Sequence, residues 1–152
     1  MLTKKDTTIL DILKHDAKLS TREISEKTGI PITTVHNRIK NMEKEGVIRA
    51  YKAIIDKKKI GKNISAYIML TVSYKDLDAI NLTQEGLAKK FLALPEVEEC
   101  AIISGASDII LKIATNDVDE LNDFVINKLR HIGGVEKTLT SIVLKDVEHR
   151  SS

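Results

Sequence analysis

One short stretch of the sequence, residues 28–48, is rich in hydrogen-bonding side chains. Between its apolar residues stand Thr33, Thr34, His36, Asn37, Arg38, Lys40 and Asn41. An asparagine can bond an adenine edge through two hydrogen bonds, and a threonine can contact a thymine methyl group or a phosphate. Arginine and lysine bond phosphates with charge assistance. These are the residue types that contacts with double-stranded nucleic acid use.

These side chains fall on one side of a helix if the stretch is helical. At about 100° per residue, Val35, Ile39 and Met42 lie together and would face a core. The outward side has Thr33, Asn37 and Lys40 at its centre, Thr34, His36 and Asn41 beside them, and Arg38 nearer the apolar edge. Two interpretations are open for this side. It is either a surface that contacts base edges and phosphates, or a solvated helix face.

No comparable pattern indicates catalysis or a bound metal. The sequence has no recognisable nucleophile motif, phosphate-binding glycine loop or catalytic pair of carboxylates. Its four histidines lack the spacing of metal ligands, and its single cysteine, Cys100, is most simply a small core residue of a strand. We therefore expect a protein that is not an enzyme and that needs no cofactor or metal.

Two capping boxes predict helices before the polar stretch. Thr3 with Asp6, and Ser20 with Glu23, have the spacing at which a hydroxyl and an acidic side chain cap each other's backbone amides. Apolar residues follow each box at helical spacing. We therefore expect one helix to begin near residue 4 and a second near residue 21.

The boundaries of the third helix come from glycine and proline. Gly29 can end the second helix in a left-handed conformation, and the ring of Pro31 suits the first turn of the third. The third helix is expected to run to about Glu45. Two helices joined by a short glycine-containing turn indicate a helix-turn-helix. The next segment, "VIRAYKAIID" at 47–56, has the Ile, Val and Tyr content of a strand.

The periodicity changes after a polar, basic segment at 57–63, which is typical of a linker. Its lysines, which are Lys57, Lys58, Lys59 and Lys62, either keep the linker soluble or contact a DNA backbone. From residue 64 the patterns follow one another as β-α-β-β-α-β, with the last helix carrying apolar residues from Val118 to Ile132. This order predicts a ferredoxin-like domain.

Charge is divided unequally between the two halves of the chain. Residues 1–63 contain 15 Lys and Arg against 8 Asp and Glu, a net charge of +7, and residues 64–152 contain 9 against 14, a net charge of −5. A basic half favours a polyanionic partner. No window approaches the roughly 18 apolar residues of a membrane span, and one cysteine allows no internal disulfide. The simplest compartment is a reducing cytoplasm.

Together these segments resemble the Lrp/AsnC family of feast/famine transcription regulators over nearly the whole chain. The matching segments include "TGIPITTVHNRIKNMEKEGVIRAYKAIID", "IGKN" and "LPEVEECAIISGASDIILKIATNDVDELNDFV". The combination is specific, because few proteins join "RI…EKEGVI" in a helix-turn-helix to "SGASD" between two later strands. The resemblance implies a DNA-binding winged helix-turn-helix and a domain for oligomerisation, as dimers or octamers, and for effector sensing.

The resemblance also implies where an effector binds. Amino-acid effectors in this family bind between dimers near a glycine-and-aspartate loop, which corresponds here to Ser104, Gly105, Ala106, Ser107 and Asp108. Thr138 and Thr140 match positions that often line the same pocket. By itself "SGASD" predicts only a tight turn, in which glycine supplies the backbone angle and aspartate bonds the turn. The two interpretations are compatible.

We therefore expect an α+β protein, with a winged helix-turn-helix at 1–56, a linker at 57–63 and a ferredoxin-like domain at 64–152. The expected function is sequence-specific, effector-modulated transcriptional regulation in the cytoplasm, in association with the nucleoid. The alternative is a small-molecule-binding assembly module of a metabolic complex whose basic helices dock protein. Salt separates these functions, because binding through several phosphates weakens log-linearly with salt concentration.

Overall fold

Three helices form the first part of the chain in the computed structural model, which describes residues 1–147. They are α1 (Lys4–His15), α2 (Thr21–Thr28) and α3 (Ile32–Lys44). These helices belong to one unit, Met1–Ile54, and residues 55–147 belong to a second. Residues 148–152, the end of the predicted ferredoxin-like domain, lie outside the described residues.

Apolar residues from the three helices and the turn before α3 meet in one small aliphatic core. Its buried members are Ile9, Ile24, Ile30, Val35 and Met42. Val35 and Met42 are two of the three α3 residues predicted to face inward, and the third, Ile39, packs partly buried against the same core. This packing turns the polar side of α3 outward, as the periodicity predicts.

Both predicted capping boxes are confirmed. Asp6 accepts a hydrogen bond from the backbone amide of Thr3 at 2.7 Å, and Glu23 accepts one from the amide of Ser20 at 2.8 Å. In return each hydroxyl accepts a bond from the amide of its acidic partner. Amides of the first helical turn that would otherwise lack partners are thereby bonded. Gly29 ends α2 at φ 70°, in the left-handed conformation that was predicted.

Two local predictions in this unit are wrong. Pro31 does not lie in the first turn of α3, because its ψ of 137° is extended and the helix begins at the next residue. Residues 47–56 form no strand in the described chain. Their β-branched content favours extended backbone, but a strand also requires a neighbouring strand to bond with, and this segment has none in the structure.

The second unit is built on a four-stranded antiparallel sheet. Its strands are β1 (Ile64–Val72), β2 (Val97–Ile102), β3 (Ile109–Thr115) and β4 (Val135–Ile142). They lie in the order β2-β3-β1-β4, so that β1 pairs with β3 on one side and with β4 on the other. This arrangement confirms the predicted ferredoxin-like order.

Helices cover one face of this sheet. Between β1 and β2 the chain forms α4 (Tyr74–Ala79) and α5 (Gln84–Leu92); between β3 and β4 it forms α6 (Val118–Asp123), a π-helical turn (Phe124–Lys128) and a 3-10 turn (Leu129–His131). Alternate β1 residues pack against the helices in the main core. Its largest fully buried side chains include Phe91, Phe124, Ile68, Leu70 and Leu111.

The last helical segment departs from the regular helix that was predicted. A π turn contains more residues than an α turn, so it shifts the side chains that follow it around the helix axis. Val118, in the first turn of α6 and ahead of the π turn, is exposed, whereas Leu121, Val125 and Leu129 are buried as the apolar spacing predicts. Helix α4 is also absent from the prediction. Its polar sequence has no apolar stripe, and it is held by a Ser73 cap and by the buried Leu77.

Within the described residues, no helix of the second unit covers the opposite face of the sheet. Residues directly opposite each other in a ladder share a face. Met69 lies opposite Ile110 on one side and Leu139 on the other, so an apolar strip crosses three strands on this open face. Leu139 is 61% exposed, and Tyr67, two residues before Met69, is also exposed.

Residues 57–63, predicted as a linker, are bonded to the second unit. The Lys57 ammonium lies 2.5 Å from a Glu98 oxygen, and that of Lys62 lies 3.5 Å from Glu120. Between them the chain makes a short 3-10 turn, Lys58–Ile60. Two of the four predicted linker lysines therefore have carboxylate partners.

Candidate functional site

The outward side of α3 carries most of the predicted DNA-contacting residues. Thr33, His36, Asn37, Lys40 and Asn41 are exposed, whereas Thr34 and Arg38 are half-buried. Core packing of the helix's apolar side fixes which side faces outward. The structure therefore groups five of the seven predicted residues on one accessible surface.

A shallow groove of about 350 Å³ runs along the start of this surface. It is lined by Thr21, Ile32, Thr33, His36 and Asn37. Thr21 is the first residue of α2 and Ile32 the first of α3, so two helix N-termini border the groove. Helix N-termini carry partial positive charge, which favours phosphate groups, and the N-terminus of α3 has no side-chain cap on its amides.

Three further residues of this surface were not predicted from the sequence. Lys44 follows Lys40 by four residues and so extends the outward face by one turn, as the helical spacing could have shown. Ile32 is an exposed apolar residue at the start of α3, suited to a thymine methyl group. Thr21 could not be found from the pattern of α3, because its position depends on how α2 packs against α3.

Arg38 has a partner inside the first unit. Its guanidinium Nη1 lies 3.3 Å from Asp6 Oδ2, and the side chain of Asp6 is almost fully buried. Hydrogen bonds from the Thr3 hydroxyl and amide lower the pKa of Asp6, and the nearby Arg38 charge adds to that effect. Asp6 is therefore ionised at neutral pH. Arg38 thus ties α3 to α1, with 38% of its side chain still exposed.

The segment 104–108 forms the turn between β2 and β3. Gly105 has φ 135°, a conformation that glycine adopts readily, and an added side chain there would meet open space. Ser104, Gly105 and Ala106 are exposed, and Ser107 and Asp108 are half-buried. Gly105 supplies the backbone angle as predicted, whereas the prediction that the Asp108 side chain bonds the turn is wrong, because that side chain bonds the end of β1.

The Asp108 carboxylate bonds the end of β1. Its Oδ2 accepts a hydrogen bond from the Val72 amide at 2.8 Å, and its Oδ1 accepts a longer one, of 3.4 Å, from the Tyr74 hydroxyl. The Asp108 carbonyl also accepts a bond from the Gln84 side chain at 3.2 Å. Tyr74 and Gln84 were not predicted because their contacts join them to Asp108 across 34 and 24 residues of sequence.

The predicted threonines lie on the same sheet, across β1 from the turn. Leu70 pairs with Ile109 on one side and with Thr138 on the other, so Thr138 lies two strands, or about 10 Å, from the start of β3. Thr140 lies opposite Ile68, on the same face. Thr138 accepts a hydrogen bond from Arg130 at 3.2 Å. One chain therefore brings these residues to the same region without direct contact.

Comparison with known proteins matches each of the two units to a known domain family. The model of the Lrp/AsnC ligand-binding domain matches residues 65–152, and that of a winged helix-turn-helix DNA-binding domain matches residues 2–49. The chain belongs to the Lrp/AsnC family. The resemblance noted from the sequence is thus confirmed, as is the α+β class with an N-terminal helix-turn-helix.

Relatives in the Lrp/AsnC family are similar along most of the chain. The HTH-type transcriptional regulator FL11 of Pyrococcus furiosus is 36% identical over 140 residues, which cover 92% of this chain and 87% of the relative. A transcriptional regulator of Neisseria meningitidis, solved as its L-methionine complex, has a TM-score of 0.88 at 28% identity and covers 100% and 96% of the two chains. AsnC of E. coli has a TM-score of 0.80 at 26% identity, and the match covers 100% of this chain and 98% of AsnC.

Membership of the Lrp/AsnC family establishes the class of function. The chain is a DNA-binding helix-turn-helix transcriptional regulator, and the relatives are regulators rather than enzymes. The alternative, an assembly module of a metabolic complex, is not favoured. No group of three or more His, Cys, Asp or Glu that could hold a metal occurs among residues 1–147.

Proposed function

We propose that α3 lies in the major groove of operator DNA. Thr33, Thr34 and Asn37 would face base edges, Arg38 and Lys40 would contact phosphates, and His36 and Asn41 would flank them. The observation that carries this proposal is the exposed polar face of α3 beside two helix N-termini. Asparagine in this position can make the bidentate pair that distinguishes adenine.

Phosphate contacts would orient α3 over the bases. Lys40 and Lys44 stand one turn apart on the outward face, and the amide end of α2 at Thr21 borders the same groove. Arg38 uses one guanidinium nitrogen for Asp6, which leaves further donors for a phosphate. Such contacts set register and orientation but carry no sequence information.

We propose that the working unit is at least a dimer, which can assemble further into an octamer. One helix-turn-helix makes too few base contacts for operator specificity, whereas a two-fold dimer reads two half-sites one helical turn apart. The open face of the sheet supports this, because Met69, Ile110 and Leu139 form an apolar strip that a second copy would cover.

We propose that an amino-acid effector binds at the Ser104–Asp108 turn between neighbouring dimers. The L-methionine complex of the Neisseria relative supports a ligand of this class. The backbone at Gly105 is open to a ligand carboxylate, and Asp108 Oδ1 could accept its ammonium. Thr138 and Thr140 would add hydroxyl groups. Such a ligand alters DNA binding only if it favours one assembly over another.

The two halves of the chain would then have separate tasks. Residues 1–56 bind DNA, 57–63 connect, and 64–152 assemble and bind the effector, in keeping with net charges of opposite sign in the two halves. Because its partner is chromosomal DNA, we propose that the protein works in the cytoplasm in association with the nucleoid.

A salt titration tests whether the basic half binds DNA. We expect the logarithm of the binding constant for a duplex to fall linearly with the logarithm of salt concentration, by about 0.9 for each phosphate contacted. A dimer with Lys40 and Lys44 on each α3 should show a slope of about −4 or steeper. Fluorescence anisotropy between 50 and 300 mM salt measures it. A slope near zero would mean that the helices dock an uncharged surface instead.

Replacing Asp108 with asparagine tests the effector site. The amide oxygen can still accept the Val72 hydrogen bond, so we expect the turn to stay folded while the charge that would pair with an ammonium is lost. Asp108→Asn should abolish the response of operator affinity to amino acids, normally about 5–150-fold, and leave ligand-free binding unchanged. Operator titrations with and without each of the twenty amino acids measure both.

Asp78→Asn is the matched control for this charge change. Asp78 lies exposed on α4, and its side chain accepts no hydrogen bond in the described chain. The response should survive there. An unaltered response in Asp108→Asn would show that the turn is structural only.

A further inference from the structure

We propose that Tyr74 sets the selectivity of the effector site, because its hydroxyl competes with the ligand's ammonium group for Asp108 Oδ1. This inference rests on the proposed effector role of the Ser104–Asp108 turn and names a residue outside that turn. It follows from how unequally the two carboxylate oxygens are bonded.

Asp108 is fixed at every polar atom except Oδ1. Its amide donates to the Leu70 carbonyl at 2.8 Å, and its carbonyl accepts bonds from the Ile103 amide at 2.9 Å and the Gln84 side chain at 3.2 Å. Its Oδ2 accepts the Val72 amide at 2.8 Å. The carboxylate therefore cannot rotate away without breaking a short bond, and Oδ1 keeps one orientation.

Among the described residues, Oδ1 has only a weak partner. The Tyr74 hydroxyl lies 3.4 Å away, which is long for a hydrogen bond between two oxygens. Tyr74 is 54% exposed and is the first residue of the short helix α4. A ligand can therefore displace this hydroxyl without disturbing the core.

The chemistry of the two donors decides the outcome. Partial burial and the Asp108 carboxylate raise the pKa of Tyr74, so the hydroxyl stays protonated at neutral pH and acts as a neutral donor. An ammonium brings a full positive charge to the carboxylate, and the neutral hydroxyl has no such charge to attract it. A ligand with an ammonium can therefore replace the hydroxyl, whereas the matching acid without an amino group gains nothing at Oδ1.

Titration calorimetry on the full chain tests this competition. The ligands are L-methionine, the other nineteen amino acids one at a time, and the desamino acid that corresponds to whichever binds. Removing this long hydrogen bond with Tyr74→Phe should tighten amino-acid binding by roughly two- to tenfold. Binding of the desamino acid should not change between wild type and Tyr74→Phe.

Tyr51→Phe is the control for loss of a tyrosine hydroxyl. Tyr51 bonds the Glu43 carboxylate at 2.8 Å in the first unit, so its removal should leave ligand binding unchanged. Thermal unfolding of Tyr74→Phe should match the wild type, because the exposed ring is kept.

The outcomes separate this inference from the effector proposal. Suppose that Asp108→Asn loses amino-acid binding while Tyr74→Phe binds the amino acid as tightly as the wild type or more weakly. The proposed competition by Tyr74 is then wrong, and the proposed effector site is still supported. If Tyr74→Phe tightened binding of the desamino acid as much as binding of the amino acid, the inference would also be overturned. The gain would then come from removing a steric obstacle and not from freeing Oδ1. If no amino acid binds the wild type, or if Asp108→Asn binds as the wild type does, both proposals fail.

Discussion

Asn37→Ala is expected to remove most of the protein's preference for its own operator. Asn37 is exposed near the centre of the outward side of α3 and lines the groove beside two helix N-termini. A bidentate asparagine–adenine pair contributes about 1–3 kcal/mol of discrimination, and a dimer makes the contact twice. Affinity for the operator should therefore fall by roughly 5–150-fold per half-site, while affinity for unrelated duplex stays unchanged.

The loss cannot come from a weaker helix. Alanine has a higher helix propensity than asparagine, so the variant's α3 should be at least as stable. Lys40→Ala is the matched comparison on the same face. It should weaken binding to every sequence alike and make the salt slope shallower by about one per helix. Gel shifts with operator and scrambled duplexes measure both, and wild-type affinity and preference in both variants would contradict the assignment.

Leu139→Glu is expected to convert the dimer into a monomer. Leu139 is 61% exposed in the single chain and lies in the apolar strip with Met69 and Ile110 on the open face. A two-fold interface would bury two unpaired carboxylates, each at a cost of several kcal/mol. Light scattering at micromolar concentration should show half the mass of the wild-type dimer, and operator affinity should fall with it.

Leu92→Glu provides the control. Leu92 is comparably exposed at the end of α5, on the helix-covered side of the sheet, so the dimer should survive this charge. A monomeric wild type would show that the open face is not self-complementary. An intact Leu139→Glu dimer would move the interface elsewhere.

Local signals in the sequence were sufficient for most helix boundaries. The capping boxes at Thr3 and Ser20 use partners three residues away, and the αL turn at Gly29 depends on that residue alone. Such features depend on short-range chemistry, so a single sequence contains them. The inward side of α3 was predictable for the same reason, since Val35 and Met42 repeat at helical spacing.

Contacts between distant residues could not be predicted. Arg38 bonds Asp6, 32 residues away, so helical spacing alone suggested a phosphate contact without revealing its partner. The hydrogen bonds from Val72 and Tyr74 to Asp108 also join residues far apart in the sequence, so local spacing did not indicate them. The strand expected at 47–56 failed because β-branched residues favour extended backbone, whereas strand formation depends on a paired neighbour.

The irregular turn in the last helical segment could not be predicted from the sequence either. The π turn at Phe124–Lys128 interrupts the regular helix, although Val125 and Leu129 stay buried at the predicted spacing. Lys128 in this turn pairs with the buried Glu96, a contact that joins the last helical segment to the start of β2. A regular period was therefore the natural prediction, and only tertiary packing reveals the extra residue.

Methylation interference on a selected operator tests most directly whether α3 reads the major groove. A duplex enriched by the full chain from a random pool is treated with dimethyl sulfate, which methylates guanine N7 in the major groove and adenine N3 in the minor groove. We expect N7 methylation within two half-sites one helical turn apart to block binding. Interference at adenine N3 alone, or at no base, would contradict the proposed role of α3.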